Sequence, residues 1–355
     1  MKKCIFKILT IIGGIILVFI VLCCFIFYLL TNSVSNDKKL KEIVIENGEN
    51  YYSITEELKE NNLIKSEFFY KLYIKLYRPK SLQAGKYYLS ESMGVKEIIG
   101  EFEKGSTYNP DAIRITFKEG INIKHIAKII SENTNNTEND VYNLLKNSEY
   151  LDELINKYWF ITDDIKNSKL YFSLEGYLFP NTYEFRNKDV SVKEIFAVML
   201  NQMDRILESY RTEIEDSKYS VHQILTLASV VEKEGKTKDF KDVASVFHNR
   251  LNINMRLESC ATTYYGIGLD FNEVGIATNE MTSNNNPYNT YKITGLPVGP
   301  ISAPSKSAIE ATLNPKVTKN YFFLSDNQGV SYFFETYYQH QQKQSELVSQ
   351  GKWYR

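Results

Sequence analysis

The chain has 355 residues, of which 42 are Lys or Arg and 43 are Asp or Glu, so its formal net charge is −1. This balance argues against a nucleic-acid partner, because nucleic-acid-binding proteins carry a strongly basic surface. Cys4, Cys23 and Cys24 lie in an N-terminal apolar segment and only Cys260 follows it, which excludes a disulfide within the rest of the chain.

The N-terminal segment predicts a membrane anchor. Residues 8–30 contain no charge and no proline, and at about 1.5 Å per residue they can cross a bilayer of about 30 Å. Lys2, Lys3 and Lys7 precede this run, which places the N-terminus in the cytoplasm and the remainder outside. The run ends in bulky residues, unlike a cleaved signal peptide. We therefore expect a cytoplasmic stub, a single-pass helix in the cell membrane and a tether over residues 1–36.

Residues 37–110 are expected to form a small α/β module, because short strand and helix patterns alternate there. The predicted order is strand 43–45, helix 52–61, helix 67–77, strand 84–89 and helix 95–102.

Residues 111–355 are expected to form a second domain with its core in 174–345, which gives an α+β chain. The predicted elements are strand 113–117, helix 123–130, a polar loop at 131–140, a long helix 192–214, helix 224–234, helix 243–251 and a hairpin of strands 321–324 and 331–334.

The helix 224–234 has the most informative pattern. Ile224, Leu227, Ala228 and Val231 lie on one helical face, and Gly235 marks the end. Glu234 then lies in the last turn, where the negative end of the helix dipole disfavours an acid. A local cost of this kind often marks a functional site.

Other catalytic patterns are weak. The sequence contains no His pair at metal-binding spacing, no Gly-x-Ser-x-Gly motif and no P-loop. A Cys260 nucleophile with His248 or His340 is conceivable, although nothing in the neighbouring sequence activates the thiol.

Glu232 and Glu234 do not form a glycosidase pair. They are about 200° apart on a helix and cannot flank one glycosidic bond. Glu234, nearer the helix end, suits a general acid if it is partly desolvated. The alternative is that both are solvated ends of a charged turn with Lys233. One acid is sufficient when the substrate carries its own nucleophile, as N-acetylmuramic acid does with its C6 hydroxyl.

Several motifs resemble the MltG (YceG-like) endolytic murein transglycosylases. They are LEGYLFP at 174–180, LASVVEKE at 227–234, VASVFHNRL at 243–251, MRLES at 255–259, PYNTY at 287–291, GLPVGP at 295–300, and Thr336 with His340. Their order and spacing extend over nearly the whole region after the anchor.

The resemblance implies a LysM-like module followed by a lysozyme-like catalytic domain that cuts nascent peptidoglycan strands internally and leaves 1,6-anhydromuramoyl ends. Glu234 would be the single acid and base, with no cofactor and no metal. The implied partners are glycan strands, the lipid bilayer through residues 8–30 and membrane-bound cell-wall synthases. The other site residues carried over are Glu232, Asn249, Arg250, Glu258, Ser259, Thr262, Tyr288, Asn289, Thr290 and His340. Tyr288 would stack on a sugar ring, and Glu232 would be a neighbour of the acid rather than its partner.

Some positions depart from the family pattern, including Gly235 in place of Thr, Cys260-Ala261 in place of Asp-Pro, Asn181 in place of Asp and Ser331 in place of His. Two other functions stay open at this point. One is a catalytically inactive, peptidoglycan-binding scaffold of a cell-wall synthesis complex, and the other is a plain hydrolase.

Overall fold

A computed structural model describes residues 2–46, 48–80, 82–105, 112–269 and 278–353, with the backbone alone for residues 2–12. The chain divides into two compact units, residues 1–110 and 111–355.

The first unit begins with helix α1 (Lys2–Thr31). Its stretch Gly13–Thr31 has a mean hydropathy of 2.9, and by length and composition it is able to cross a membrane. Phe27, near the end of α1, stacks on Tyr73 with ring centroids 6.1 Å apart. The apolar N-terminal segment is therefore one continuous helix.

The rest of the first unit contains one small sheet and three helices. Strands β1 (Leu40–Ile45) and β2 (Gly85–Ser90) are antiparallel. The helices are α2 (Thr55–Glu60), α3 (Glu67–Tyr77) and α4 (Val95–Lys104). Apolar side chains from all five elements, such as Ile43, Tyr70 and Phe102, form one core. The predicted elements all occur, and only α2 is clearly shorter than expected.

The second unit is mostly helical. Its described residues form two pairs of antiparallel strands. Its helices are α5 (Ile123–Asn133), α6 (Glu138–Lys146), α7 (Ser148–Lys157), α8 (Val192–Glu208), α9 (Arg211–Glu215), α10 (Val221–Glu234), α11 (Phe240–Asn252), α12 (Cys260–Gly266), α13 (Asn279–Ser283), α14 (Lys306–Leu313) and α15 (Tyr337–Ser349). Strand β3 (Ile113–Thr116) pairs with β4 (Thr182–Phe185), and β5 (Phe322–Ser325) pairs with β6 (Ser331–Phe334) as the predicted hairpin.

Two predicted boundaries in this unit were wrong. The expected helix 192–214 is interrupted after Glu208, where the hydroxyl of Ser209 donates to the carbonyl of Ile206 and competes with the helical backbone. The expected polar loop 131–140 already contains the start of α6, because Thr137 and Asp140 form a capping box.

Helix α10 lies in the interior of the second unit. Ile224, Leu225 and Ala228 belong to one apolar cluster, whereas Leu227 and Val230 belong to another. The sequence pattern indicated one apolar face, but the structure buries the helix on both sides. The position of Glu234 is therefore set by two packed layers.

Candidate active site

Helix α10 begins after Ser220 and ends before Gly235. Ser220 caps its start by accepting a hydrogen bond from the Gln223 backbone N–H. The predicted end at Gly235 is confirmed, but the backbone there is extended, with φ −116°. A Cβ atom on Gly235 would lie 3.0 Å from Cδ1 of Phe240 and 3.3 Å from Cγ2 of Val243. The close approach of α11, and not a left-handed backbone, therefore limits the space for a side chain at this position.

The two carboxylates of α10 bind the N-caps of two different helices. Glu234 Oε1 accepts from Ser259 Oγ at 2.5 Å and from the Ala261 N–H at 3.3 Å, and Ser259 caps α12. Glu232 Oε2 accepts from the Ser305 N–H at 2.9 Å, and Ser305 caps α14. The structure thus separates the two acids, and they do not form a pair about one bond.

The dipole of α10 is not the only helix dipole that acts on Glu234. Its carboxylate lies at the negative end of α10 but also at the start of α12, where free N–H groups favour a negative charge. Burial raises the pKa of Glu234, while Ser259, Ala261 and the nearby charge of Arg250 partly oppose that shift. Burial also raises the pKa of Glu232. The hydrogen-bond partners, rather than burial, therefore distinguish the two acids.

A buried chain of hydroxyl groups supports Ser259. The Ser259 N–H donates to Thr290 Oγ1 at 2.9 Å, and Thr290 Oγ1 lies 2.8 Å from Thr262 Oγ1. Thr262 in turn donates to the Ser259 carbonyl at 2.8 Å. Thr262 and Thr290 have no exposed surface. The structure brings these three predicted residues together. Thr262 and Thr290 position Ser259, which binds Glu234.

Asn249 and Arg250 connect α11 to the chain before the β5–β6 hairpin. Asn249 Nδ2 donates to the carbonyls of Thr318 and Asn320, at 3.0 and 2.9 Å. Arg250 Nε donates to the carbonyl of Tyr321 at 2.7 Å. Both side chains therefore bind backbone in this structure.

Arg250 also fixes the segment that leads to Ser259. Its guanidinium donates to the carbonyl of Leu257 at 2.8 Å and lies 3.6 Å from a Glu258 carboxylate oxygen. The Arg250 residue is 7% exposed, whereas the Glu258 side chain is 45% exposed. Glu258 adopts a positive φ of 50°, which is unusual for a residue other than glycine. Of these groups, Glu258 is the one that faces solvent.

Tyr288 and Asn289 are fully buried. The Tyr288 ring centroid lies 4.8 Å from those of Tyr171 and Tyr265. The expectation that Tyr288 stacks on a sugar was therefore wrong for this conformation, since its ring has no free face. Asn289 Oδ1 accepts from Thr263 Oγ1 at 3.1 Å, so both residues shape the loop that carries Thr290.

His340 lies in an aromatic cluster with Phe322, Phe334 and Tyr337. Burial lowers its pKa, which favours the neutral imidazole. The Arg250 guanidinium lies 5.2 Å from the Phe322 ring centroid. His340 thus supports the ring beneath Arg250, and no hydrogen bond joins it to Glu234 in the described structure.

Glu175 is a buried acid that the sequence analysis overlooked. It is 1% exposed, accepts from the Ile123 N–H at 3.1 Å and from the Tyr265 hydroxyl at 2.9 Å, and burial raises its pKa to about 8. Its position in the otherwise apolar run 174–180 was the available signal. Tyr265 belongs to α12, so Glu175 anchors the helix whose start binds Glu234.

Cys260 contacts the hydroxyl of Tyr291, with Sγ 3.2 Å from the oxygen. Burial raises the pKa of its thiol, which works against a thiolate nucleophile. His248, its suggested base, instead places Nε2 2.8 Å from the Thr312 carbonyl. Within the described ranges, no group of three or more His, Cys, Asp or Glu side chains is arranged to hold a metal ion.

Several known proteins are similar to this chain in sequence and in fold. The profile of the YceG-like family matches residues 43–346. The endolytic murein transglycosylase of Bacillus subtilis (strain 168) is 34% identical over 316 residues, which cover 88% of this chain and 86% of that protein. The enzyme of the same name from Streptococcus pneumoniae (strain D39) is 31% identical over 89% of this chain, and the matched region spans 60% of the streptococcal protein.

The fold comparison agrees with the sequence comparison. A 2.6 Å crystal structure of a yceG-like protein from Listeria monocytogenes superposes with a TM-score of 0.62 at 32% sequence identity. The match covers 86% of this chain and all of the Listeria chain. The chain therefore belongs to the YceG-like family, and it is an enzyme of the lytic transglycosylase type.

Proposed function

We propose that this protein is a membrane-anchored endolytic transglycosylase of peptidoglycan, in which Glu234 is the single catalytic acid and base. The observation that carries the proposal is the asymmetric binding of its carboxylate. Oε1 accepts from Ser259 and Ala261, whereas Oε2 has no hydrogen bond to the described part of the chain. Because an oxygen that already accepts two donors is a poor site for a proton, the proton resides on Oε2.

The first step is protonation of the leaving group. Glu234 donates its Oε2 proton to the oxygen that joins N-acetylmuramic acid to N-acetylglucosamine, and the bond from that oxygen to C1 breaks. Burial raises the pKa of Glu234, so the side chain holds a proton to higher pH than a solvated glutamic acid. The negative charge left on Oε1 is stabilised by Ser259 and Ala261.

The second step regenerates the acid. The C6 hydroxyl of the same muramic residue attacks C1, and the Glu234 carboxylate takes the hydroxyl proton. The product is a 1,6-anhydro ring, and no water is added. Glu232 is bound to Ser305 at the start of α14, so it supplies no second carboxylate for a double-displacement or water-activating mechanism.

The exposure of the other family-like residues separates those that can contact substrate from those that position the site. We assign substrate contact to Glu258, because its side chain is 45% exposed and the other members of the group are buried or half-buried. The remaining residues position the site: Ser259 with Thr262 and Thr290, Asn249 with Arg250, Tyr288 with Asn289, and Glu232 and His340 at its edges.

The first unit fits a LysM-like module, since it has the order strand, helix, helix, strand before α4. We assign the second unit as the lysozyme-like catalytic domain. Lys2, Lys3 and Lys7 before the apolar helix favour a cytoplasmic N-terminus and a catalytic unit outside the cell membrane. Membrane-bound cell-wall synthases, which make the strands, are the partners that this location favours.

The test is a matched pair of isosteric variants in the full-length protein. Glu234→Gln should abolish release of anhydromuramic-ended fragments from uncrosslinked glycan, a loss of at least about 1,000-fold. Glu232→Gln should keep most of the activity, because its amide oxygen still accepts from Ser305. Mass spectrometry identifies the product, since an anhydro end is lighter than a hydrolysed end by one water. Normal product from Glu234→Gln, or hydrolysed ends from the unaltered enzyme, would refute this mechanism.

A further inference from the structure

A lysine-bearing groove lies in the second unit beside the tyrosines that support the active site. Two cavities, of about 800 and 330 Å³, share Lys124, Tyr142, Tyr171 and Phe172 in their walls. Lys146 lines the larger one. We call the surface formed by these five residues the lysine–aromatic groove.

The two lysines of this groove are not ion-paired within the described part of the chain. The wall of the smaller cavity also contains Glu138, but that carboxylate accepts from the Tyr142 hydroxyl at 3.1 Å. Lys124 and Lys146 are exposed, and neither has a carboxylate within ion-pair distance in the described ranges. Lys166, which also lines the larger cavity, is different because Asp152 and Asp163 pair with it. Two positive side chains are therefore available to an anionic ligand.

The aromatic side chains give the groove an apolar surface beside the lysines. Tyr142 and Phe172 are stacked, with ring centroids 5.8 Å apart and planes 25° apart. Tyr171 keeps 45% of its surface exposed although its hydroxyl is bound. Rings of this kind pack against small apolar side chains or sugar rings, while the lysines bind carboxylates.

The groove is connected to the catalytic acid by helix α12. Ser259 at the start of α12 binds Glu234, and the Gly266 carbonyl at its end accepts from the Tyr171 hydroxyl at 2.6 Å. A helix of seven residues is about 10 Å long. An extended peptide covers this distance in about three residues.

We propose that the lysine–aromatic groove binds the acidic stem peptide attached to the glycan strand that Glu234 cleaves. This inference rests on the proposed function, because the peptide reaches the groove only from a muramic residue placed at Glu234. Lys124 and Lys146 bind the peptide carboxylates, and Tyr142 with Phe172 contacts the side chains between them. The groove thereby favours strands that still carry their peptides.

The test compares binding of two probes to full-length protein carrying Glu234→Gln, which prevents turnover. The probes are uncrosslinked glycan strands with stem peptides and the same strands after enzymatic removal of the peptides. The peptide-bearing strands should bind more tightly. Adding Lys124→Ala and Lys146→Ala should weaken their binding about five-fold, with little change for the bare strands. Lys188→Ala, which removes an exposed lysine in the segment between β4 and α8, is the matched control and should change neither Kd.

Equal affinity of the starting protein for both strands would overturn the inference, and so would an equal loss for both strands in the double lysine variant. Turnover by the unaltered enzyme on bare strands is measured separately. If those strands are cleaved to anhydro ends while binding ignores the peptides, the catalytic proposal stands and the groove assignment fails. If neither kind of strand is cleaved to anhydro ends but binding discriminates as expected, the catalytic proposal fails and the groove still binds the stem peptide.

Discussion

Glu234 and Glu232 are two residues apart, and burial raises the pKa of both. What differs is the group that each carboxylate meets. Ser259 and Ala261 donate to one oxygen of Glu234, whereas Glu232 accepts from the Ser305 N–H at the start of α14. A raised pKa therefore does not distinguish the two acids, and the proposal that Glu234 is catalytic rests on the geometry of its hydrogen bonds.

The pair of capping serines offers a direct test. Ser259 stabilises the Glu234 carboxylate, so Ser259→Ala should raise the pKa of Glu234 further. A general acid works in its protonated form, and activity falls as pH rises through its pKa. The alkaline limb of kcat/KM should therefore move to higher pH in Ser259→Ala, with a loss of about 1 kcal/mol in stability from the missing cap.

Ser305→Ala is the control for that experiment. It removes the side-chain cap of α14 but keeps the backbone N–H that donates to Glu232, so it should cost similar stability. Its pH profile should match that of the unaltered enzyme. The pH dependence of kcat/KM on soluble glycan is the measurement, and an unmoved limb in Ser259→Ala would contradict the role of Ser259.

Residue types and spacing were sufficient to predict some of these groups and not others. The end of α10 at Glu234 followed from a local glycine, and the separation of Glu232 from Glu234 followed from helical geometry. The Ala261 N–H was not predictable, because a backbone donor leaves no trace in residue type. The burial of Tyr288 depends on Tyr171, more than 100 residues earlier, and local sequence does not record such a contact.

At the scale of elements, distant segments meet at buried polar groups. Glu175 precedes β4, its carboxylate binds the first N–H of α5, and it accepts from Tyr265 in α12. Local signals predicted α5, but they did not predict that a glutamate 52 residues away would bind its start. Likewise, Thr137 and Asp140 form the capping box that starts α6, although the polar composition of residues 131–140 indicated a loop. The break after α8, where the Ser209 hydroxyl donates to the Ile206 carbonyl, was not predicted either.

Glu175 should make stability depend on pH. Its pKa is raised from 4.5 to about 8 in the folded protein, so the native state binds this proton more tightly than the unfolded chain. The free energy of unfolding should then fall as pH rises between these values, by at most about 1.4 kcal/mol per pH unit, and level off above them. In Glu175→Gln this component should disappear, because an amide does not titrate.

Thermal unfolding of the full-length protein in detergent, at a series of pH values from about 5 to 9, measures this effect. Glu149→Gln alters an exposed glutamate near the start of α7 and should keep the original pH dependence. Equal slopes of Tm against pH for Glu175→Gln and the unaltered protein would show that Glu175 is ionised in both states.

At the scale of the whole molecule, location decides which glycan the enzyme can reach. The 19-residue stretch Gly13–Thr31 matches the thickness of a bilayer, and the N-terminal lysines favour an orientation with the second unit outside the cell. In the proposed orientation, the second unit would lie outside the membrane and would meet strands as they are made, before they are cross-linked into older wall.

Fusions at the C-terminus test this orientation. Alkaline phosphatase, which becomes active only outside the cytoplasm, should be active when it follows residue 355, and a green fluorescent protein there should be dark if it is exported unfolded. Deleting residues 1–36 should retain both reporters in the cytoplasm and reverse the two signals. The full-length fusion should also remain in the membrane fraction after alkaline carbonate extraction, because a transmembrane helix resists a treatment that removes peripheral proteins. A bright fluorescent fusion with inactive phosphatase would place the catalytic unit inside the cell, where it could not reach assembled glycan strands.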